Sequence, residues 1–165
     1  MTRFVAVVDV DAPVQDVWDR LTDWPSHTRW VPFTTVRVLT PLATGVGARF
    51  VGRTSLSAAG LDRLGFDDPM EVTAWLPPAD GLPGRCGIRK LGRLVRGSAA
   101  FDVVALPGGG TGRPLTRVLW EGDLDLPPRP VTRLLAPLVA LAGRLAYSAA
   151  LRSMARELEA EQRRP

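Results

Sequence analysis

The sequence contains 165 residues, the length of one ordinary domain, so we expect a single ligand-binding domain over residues 1–165. Hydrophobic residues make up 45% of the chain and charged residues 23%, a composition that excludes a disordered chain and a membrane protein. No stretch approaches the run of about 18 apolar residues that a membrane-spanning helix needs.

The net charge of +4 raises the question of a nucleic-acid partner. Its main source is arginine, with Lys90 the only lysine, and the basic residues are scattered along the chain. The densest basic stretch, Arg85–Arg96, contains no aromatic residue that could stack on a base. A solvated strand face is the favoured interpretation, and nucleic-acid binding is disfavoured. An interaction module that docks this stretch on an acidic partner or RNA stays open as an alternative.

The N-terminal segment and the cysteine usage bear on the compartment. The apolar run in Met1–Val10 is interrupted by Asp9 and followed by Asp11, where an export signal would continue its apolar region. The lone cysteine, Cys86, cannot form an internal disulfide. We therefore expect a cytoplasmic protein.

The first elements are a strand and two short helices. Phe4–Val10 is rich in β-branched residues and predicts a strand. Asp11 and Pro13 are typical of a helix start, and apolar residues then recur at helical spacing as far as Leu21. The same signal of a capping residue and a proline predicts a shorter helix over Pro25–Trp30.

From residue 34 onward the apolar residues alternate with polar ones, which predicts strands. The predicted strands are Thr34–Leu39, Gly47–Ser57, Met70–Leu76, Arg85–Leu91, Leu94–Leu106 and Thr116–Leu124. Because no helix lies between them, the sheet is expected to be antiparallel, with a long connection over Ala58–Pro69. A long helix over Val131–Gln162 follows, and its first half is apolar around nearly the whole circumference, so other structure must enclose it.

Several short segments in the first third of the chain form a recognisable pattern: Val10-Asp11-Ala12-Pro13, Val17-Trp18, Leu21-Thr22-Asp23-Trp24 and Trp30-Val31-Pro32. With these segments the chain resembles the opening of the SRPBCC superfamily, the START-like, polyketide-cyclase-like and birch-pollen-allergen-like group. Gly45–Phe50 and Thr116–Trp120 resemble its third and last strands. The resemblance covers nearly the whole chain.

The resemblance implies a helix-grip fold of the α+β class. In this fold a curved seven-stranded antiparallel sheet wraps around a long C-terminal helix, and two short helices lie between strands 1 and 2. Members bind lipids, sterols, polyketides, isoprenoid quinones and plant hormones, and some catalyse cyclisation or dehydration. They share no universal catalytic residue, so the resemblance implies a fold and a ligand class rather than a reaction.

A hydrophobic ligand would contact inward-facing apolar side chains. Alternation along a strand defines two faces without saying which one faces inward. The candidates for lining the cavity are Trp24, Trp30, Phe50, Phe101, Trp120, Leu138, Leu141, Leu145, Tyr147 and Ala149. On the long helix, core packing is the favoured interpretation of the leucines, and the alternative is that the small residues beside them leave volume for a ligand.

Few polar groups are candidates for a role in the site. An ordinary surface or mouth position is the favoured interpretation for His27, the only histidine. A role at the entrance of the cavity is the alternative, because the short helix that carries His27 is expected to form part of the rim. Arg89 and Tyr147 could anchor a polar group of the ligand or move protons. One histidine and one cysteine make no recognisable metal site. We predict no metal and no cofactor, and we assign no catalytic residue.

The sequence therefore predicts a protein that binds or carries a hydrophobic small molecule, such as a polyketide, an isoprenoid, a lipid or an aromatic metabolite, in an internal cavity. An enzyme of the polyketide cyclase or dehydratase type that uses the same cavity is the alternative. The identity of the ligand and the oligomeric state stay open.

Overall fold

A computed structural model describes residues 2–56, 61–92, 96–107, 114–125 and 130–163 of the chain. Its strands are β1 (Thr2–Val10), β2 (Thr34–Val38), β3 (Arg49–Leu56), β4 (Leu61–Leu76), β5 (Gly84–Leu91), β6 (Arg96–Leu106) and β7 (Leu115–Leu124). Its helices are α1 (Val14–Thr22), α2 (His27–Trp30) and α3 (Pro130–Gln162), with a 3-10 turn over Trp24–Ser26 before α2. Among the described residues, no helix is long and apolar enough to cross a membrane.

The seven strands form one curved antiparallel sheet in the order β1-β7-β6-β5-β4-β3-β2. β1 and β2 are the two edges of this sheet, and the two short helices carry the chain from one edge to the other. The long helix α3 packs against β1. This arrangement confirms the predicted helix-grip fold.

Strand β4 is longer than the sequence predicted, because it includes most of the stretch that reads as a loop. Asp67, Asp68 and Pro69 are typical loop residues, yet all three pair with β3. Among the described residues, pairing with β5 begins only at Met70, so this part of β4 is seen paired with β3 alone. A proline is tolerated where a strand has an unpaired side, because its missing N–H leaves no ladder bond unmade.

A β-bulge in β4 changes which residues face inward. Val72 pairs with Ile88, but the register shifts before the next pair, so one extra residue is inserted. After the bulge Trp75 faces inward and packs edge-to-face on Trp18, with ring centres 5.2 Å apart. Leu76, which is in phase with Val72 in the sequence, is exposed.

The C-terminal half of α3 determines which face of this helix is buried. Leu151, Met154 and Leu158 recur at helical spacing and are buried in the core. Continued toward the N-terminus, the same face carries Gly143 and Ala140, which are half-buried.

The leucine stripe that was predicted to line the cavity lies on the opposite face of α3. Leu138, Leu141 and Leu145 are 62%, 53% and 61% exposed, and Ala149 is exposed as well. The structure corrects this prediction because a helix turns one stripe toward the sheet, and the buried C-terminal residues already define that stripe. An apolar circumference left the rotation of the helix ambiguous in the sequence.

Two glycines allow a close approach between α3 and the sheet. The ring of Phe4 on β1 lies between Gly122 of β7 and Gly143 of α3. A Cβ atom at Gly143 would lie 2.8 Å from the Phe4 ring, and one at Gly122 would overlap it. The Phe4 ring centre is 5.0 Å from that of Tyr147 on the same helix. This slot brings the middle of α3 against the sheet and places Tyr147 at the interior.

Candidate functional site

Aromatic side chains fill the space between the concave face of the sheet, α2 and α3. We call them the interior aromatic cluster: Trp24, Trp30, Phe50, Phe101, Trp120 and Tyr147. Five of them are buried, and Tyr147 packs against the buried core. Phe101 and Trp120 stack with ring centres 5.1 Å apart, and Tyr147 lies 5.4 Å from Trp120. The structure therefore brings together all six aromatic candidates, and contact with a ligand stays a prediction.

His27 joins two parts of this cluster. Its ring centre lies 5.5 Å from that of Trp24, 4.1 Å from that of Trp30 and 6.4 Å from that of Trp120. Trp24 in turn stacks on Phe50, with ring centres 4.2 Å apart. The imidazole is buried in the interior, not at the surface or the rim. The reason is the spacing within α2, which places residues three apart on the same inward face.

The His27 imidazole is held in its neutral form. Burial lowers its pKa to about 4, although the hydrogen bond to Leu21 and the charge of Asp23 act in the opposite direction. Because the carbonyl oxygen of Leu21 can only accept, Nε2 carries the proton and donates to it over 2.9 Å. His27 thus serves as one more ring of the apolar interior at neutral pH.

Two indole N–H groups of the cluster have no hydrogen-bond partner among the described residues. These groups are Nε1 of Trp30 and Nε1 of Trp120, and the two side chains are 3% and 5% exposed. By contrast, Nε1 of Trp24 donates to the carbonyl oxygen of Ala43 over 2.7 Å. A buried donor without a partner costs about 1–3 kcal/mol, so two of them in one interior need an explanation.

A buried ion pair lies at the polar end of the same interior. Lys90 is the inward-facing residue of β5 that follows Ile88, and its Nζ donates a hydrogen bond to Oδ2 of Asp68 on β4. The two side chains are 6% and 13% exposed. Nζ also lies 3.8 Å from Sδ of Met70. The second carboxylate oxygen, Oδ1 of Asp68, is buried and has no partner among the described residues.

The charge of Lys90 is maintained by its neighbours. Burial lowers the pKa of Lys90, but Tyr147 and the Asp68 carboxylate raise it more, and the result lies above the ordinary value. Lys90 is therefore a cation at neutral pH. The Asp68 carboxylate stabilises this charge at neutral pH, because its Oδ2 accepts a hydrogen bond from Nζ.

The family of the chain is established by a family model that matches nearly its whole length. The family model described as polyketide cyclase / dehydrase and lipid transport matches residues 1–159. The chain belongs to this family. Its description joins cyclase chemistry with the carriage of lipids, and both require an interior that accepts a hydrophobic molecule. A search of curated proteins finds no match to the sequence.

Several solved structures of other proteins share the fold of this chain. The crystal structure of TTHA0849 from Thermus thermophilus has a TM-score of 0.70 at 16% identity, over 96% of this chain and 98% of that one. The ZhuI aromatase/cyclase from Streptomyces sp. R1128 has a TM-score of 0.60 at 18% identity, over 98% of this chain and 95% of that one. The crystal structure of Ara h 8.0201 has a TM-score of 0.61 at 11% identity, over 96% of this chain and 97% of that one. At these identities the likeness concerns the fold and not the ligand.

The polar candidate Arg89 lies on the outer face of the sheet and not in the interior. Its side chain is 59% exposed and pairs with Glu71 over 3.2 Å. The neighbouring Lys90 points inward, because successive side chains of a strand face opposite ways. The sequence did contain a signal for Lys90. It is in phase with the apolar Cys86 and Ile88, whereas Arg89 is in phase with Arg85.

Three basic residues of the stretch that suggested an interaction module are paired with acids, whereas Arg96 at its end is exposed. Arg85 makes two hydrogen bonds to the Asp102 carboxylate, of 2.7 and 2.9 Å, across the β5–β6 ladder. The Arg89 and Lys90 side chains are each paired with an acid of β4. Arg93 lies outside the described residues. These cross-strand pairs favour the interpretation of a solvated and paired strand face.

Two pockets of the described residues lie away from the interior aromatic cluster. A groove of about 540 Å³ lies between α1 and the C-terminal end of α3, and a depression of about 410 Å³ lies on the outer face of the sheet. Neither is lined by the cluster. In the described interior the aromatic rings pack on one another, so a ligand would have to move some of them apart.

Proposed function

We propose that this protein binds a hydrophobic small molecule between α3 and the concave face of the sheet, within one domain over residues 1–165. Four buried side-chain polar atoms lack a partner among the described residues, and one of them, Oδ1 of Asp123, belongs to a residue of β7 that is out of phase with the inward-facing Trp120. The observation that carries the proposal is the other three: Nε1 of Trp30, Nε1 of Trp120 and Oδ1 of Asp68. All three side chains belong to the inward-facing surfaces. Oxygen atoms of a ligand could satisfy the two indole donors and offset their desolvation cost.

The surroundings of these atoms support the same proposal. Small-molecule sites are mostly apolar, with a few polar groups that orient the ligand. The interior aromatic cluster supplies the apolar surface, and Lys90, Asp68 and Tyr147 supply the polar groups. Binding then requires a ring such as Tyr147, which is half-buried and on the helix, to move away from Trp120. The family description, with its cyclases and lipid transport, agrees with such a ligand.

Native mass spectrometry of protein purified from its host tests the proposal. We expect a co-purifying apolar molecule with one-to-one stoichiometry. The variant Trp120→Phe keeps an aromatic ring and removes the unpartnered N–H, so it should release an oxygen-bearing ligand about tenfold more readily. Trp24→Phe is the matched control, since its N–H already has a partner in Ala43. Protein that carries no ligand from its host and binds no apolar compound would overturn the proposal.

A second candidate function is cyclisation of a chain that carries several ketones, and it is favoured by the contact between Lys90 and Asp68. A proton would pass from a carbon next to a ketone to Asp68, while the Lys90 ammonium stabilises the enolate oxygen. The enolate carbon would then form a bond to a second carbonyl carbon, and Lys90 would protonate the resulting alkoxide. Asp68 finally returns its proton to Lys90 through their hydrogen bond, which restores both groups.

Turnover of a poly-β-ketone substrate tests this second function. Asp68→Asn removes the base and should abolish turnover while an apolar ligand still binds. Arg89→Ala changes a neighbouring charge on the outer face and should leave turnover unchanged. Turnover that survives Asp68→Asn, or that is lost in Arg89→Ala, would contradict the proposed role of the pair.

A further inference from the structure

We propose that the interior site selects a neutral, hydroxyl-bearing apolar molecule, that is an alcohol, a phenol or an enol, over a carboxylate, an amine or a hydrocarbon. This inference rests on the proposed function and names its ligand class. It follows from the geometry of the Lys90–Asp68 pair and from the two unpartnered indole groups.

The pair presents one donor and one acceptor to the interior. A lysine ammonium has three N–H donors. One of them is used by Oδ2 of Asp68, and another faces the weak acceptor Sδ of Met70 at 3.8 Å. Among the described residues the remaining N–H has no acceptor and can donate to a ligand, and Oδ1 of Asp68 has no donor. A hydroxyl group is complementary to this arrangement because it donates and accepts through a single atom.

The charges of the pair exclude ionic ligands. Lys90 and Asp68 sum to zero, and both are buried, so an added charge would enter a region of low dielectric without compensation. A carboxylate would meet the lone pairs of Oδ1 of Asp68 without a proton to offer. An ammonium group would meet the Lys90 cation at the same place.

A hydrocarbon is disfavoured for the opposite reason. It would leave Oδ1 of Asp68 and the indole donors of Trp30 and Trp120 buried without partners. Each such group costs about as much as one good hydrogen bond is worth, which corresponds to about tenfold in affinity. A ligand with a hydroxyl at one end and a second oxygen further along its rings would satisfy both ends of the interior.

Equilibrium dialysis with a matched series of probes tests the inference at neutral pH. The probes are 2-naphthol, 2-methoxynaphthalene, 2-methylnaphthalene and 2-naphthoate, which share one ring system. We expect 2-naphthol to bind about tenfold more tightly than the methyl compound and the methyl ether, which cannot donate to Asp68, and 2-naphthoate to bind most weakly. Equal binding of the first three, or a preference for 2-naphthoate, would overturn the inference and leave the proposed function standing. Failure of every probe to bind, together with the absence of a co-purifying ligand, would overturn both.

Two variants identify the source of the preference. The double variant Lys90→Met/Asp68→Leu replaces the pair by apolar side chains, a change that buried ion pairs commonly tolerate, and should bind 2-naphthol and 2-methylnaphthalene equally. Asp68→Asn leaves the Lys90 charge uncompensated and should reverse the order, so that 2-naphthoate becomes the tightest ligand. The outer-face variant Arg89→Met/Glu71→Leu is the control and should keep the wild-type order. A wild-type order in the first two variants would place the selectivity elsewhere.

Discussion

His27 and Lys90 are both ionisable and both buried in the interior, yet the protein treats them in opposite ways. Burial lowers the pKa of each. His27 has a carbonyl oxygen as its hydrogen-bond acceptor and is left neutral, whereas Lys90 has a carboxylate at bonding distance and stays charged. The presence of a buried counter-charge therefore decides the protonation state, because desolvation alone favours the neutral form.

His27 makes the stability depend on pH in the acid range. Its pKa in the folded protein is about 4, below the ordinary 6.5, so the unfolded chain binds a proton that the folded protein does not. Stability should therefore be complete above about pH 6.5 and fall by up to about 3 kcal/mol toward about pH 4.

Urea unfolding at several pH values measures this loss. The variant His27→Gln retains an N–H donor for the Leu21 carbonyl and cannot titrate. The difference between wild type and His27→Gln should carry the pH dependence, since the carboxylates titrate alike in both proteins. A constant difference between about pH 4 and 6.5 would contradict a buried neutral imidazole.

Removing one partner of the Lys90–Asp68 pair should be costly. Asp68→Ala leaves a buried ammonium uncompensated, and we expect a loss of about 3–5 kcal/mol at neutral pH. Because the folded pKa of Lys90 is raised, its stabilising effect is present below the unfolded pKa and is lost only as the pH rises through the folded value. Chemical denaturation of Asp68→Ala checks the cost, with Asp67→Ala, an exposed neighbour paired with Arg53, as the control. Equal losses would refute the burial of the pair.

At the scale of the elements, α3 is the helix whose two faces differ most from the expectation. Its large buried residues Leu151, Met154 and Leu158 lie in the C-terminal half. The leucine stripe of Leu138, Leu141 and Leu145 on the outer face is exposed. The rotation of α3 therefore depends on a few buried residues near its end. The Phe4 slot adds a second point of attachment near its middle.

Paired substitutions on α3 test its rotation. Met154→Ala empties a fully buried position and should cost about 2–5 kcal/mol in the free energy of unfolding. Leu141→Ala removes an exposed side chain and should change it by no more than about 0.5 kcal/mol. Comparable losses at the two positions, measured by urea denaturation, would mean that the leucine stripe is buried.

The glycine at the Phe4 slot gives a prediction for the packing of α3 on the sheet. Gly122→Ala would place a methyl group in the space of the Phe4 ring and should destabilise the protein by about 1–3 kcal/mol. Phe4→Leu in the same chain should restore part of this loss, because a smaller side chain makes room for the methyl group. Additive losses in the double variant, measured by thermal unfolding, would argue against contact between these positions.

At the scale of the whole molecule, several arginine side chains of the sheet form ion pairs with acids of adjacent strands. Arg117 forms two hydrogen bonds to Asp9, of 2.7 and 2.8 Å, and the pKa of Asp9 is lowered as a result. Arg85 and Arg53 are paired in a similar way with acids of adjacent strands. Arg117, Arg85 and Arg53 are therefore neutralised locally by acids of adjacent strands.

Salt dependence tests this distribution of charge. We expect the protein to show only weak binding to single-stranded RNA, which disappears at about physiological salt, because few cations are available to replace counterions. Fluorescence anisotropy with a labelled oligonucleotide measures the effect. An affinity that remains at physiological salt, or a slope that indicates many phosphate contacts, would favour the interaction module instead.

Local signals were sufficient for the order of the elements, the antiparallel sheet and the family. Alternating apolar residues predicted most strand positions, and the opening motif around Trp18 and Trp24 pointed to the helix-grip fold. The aromatic candidates also lie together in the interior, because large aromatic residues at apolar positions seldom have another place to go.

Only the tertiary structure decided the phase and the rotation of these elements. Alternation along a strand does not show which face is inward, so Arg89 was predicted to be in the site although Lys90 is the residue that faces the interior. The bulge in β4 also shifts the alternation before Trp75, so that Trp75 faces inward. Likewise, the apolar circumference of α3 allowed several rotations until Leu151 and Met154 met the core. Lys90 and Asp68 are 22 residues apart in the chain and form an ion pair between β5 and β4. The sequence did not predict this pair, because Asp67, Asp68 and Pro69 are typical of a loop rather than of a strand. Sequence patterns are one-dimensional, whereas burial and charge pairing depend on neighbours that only the folded sheet supplies.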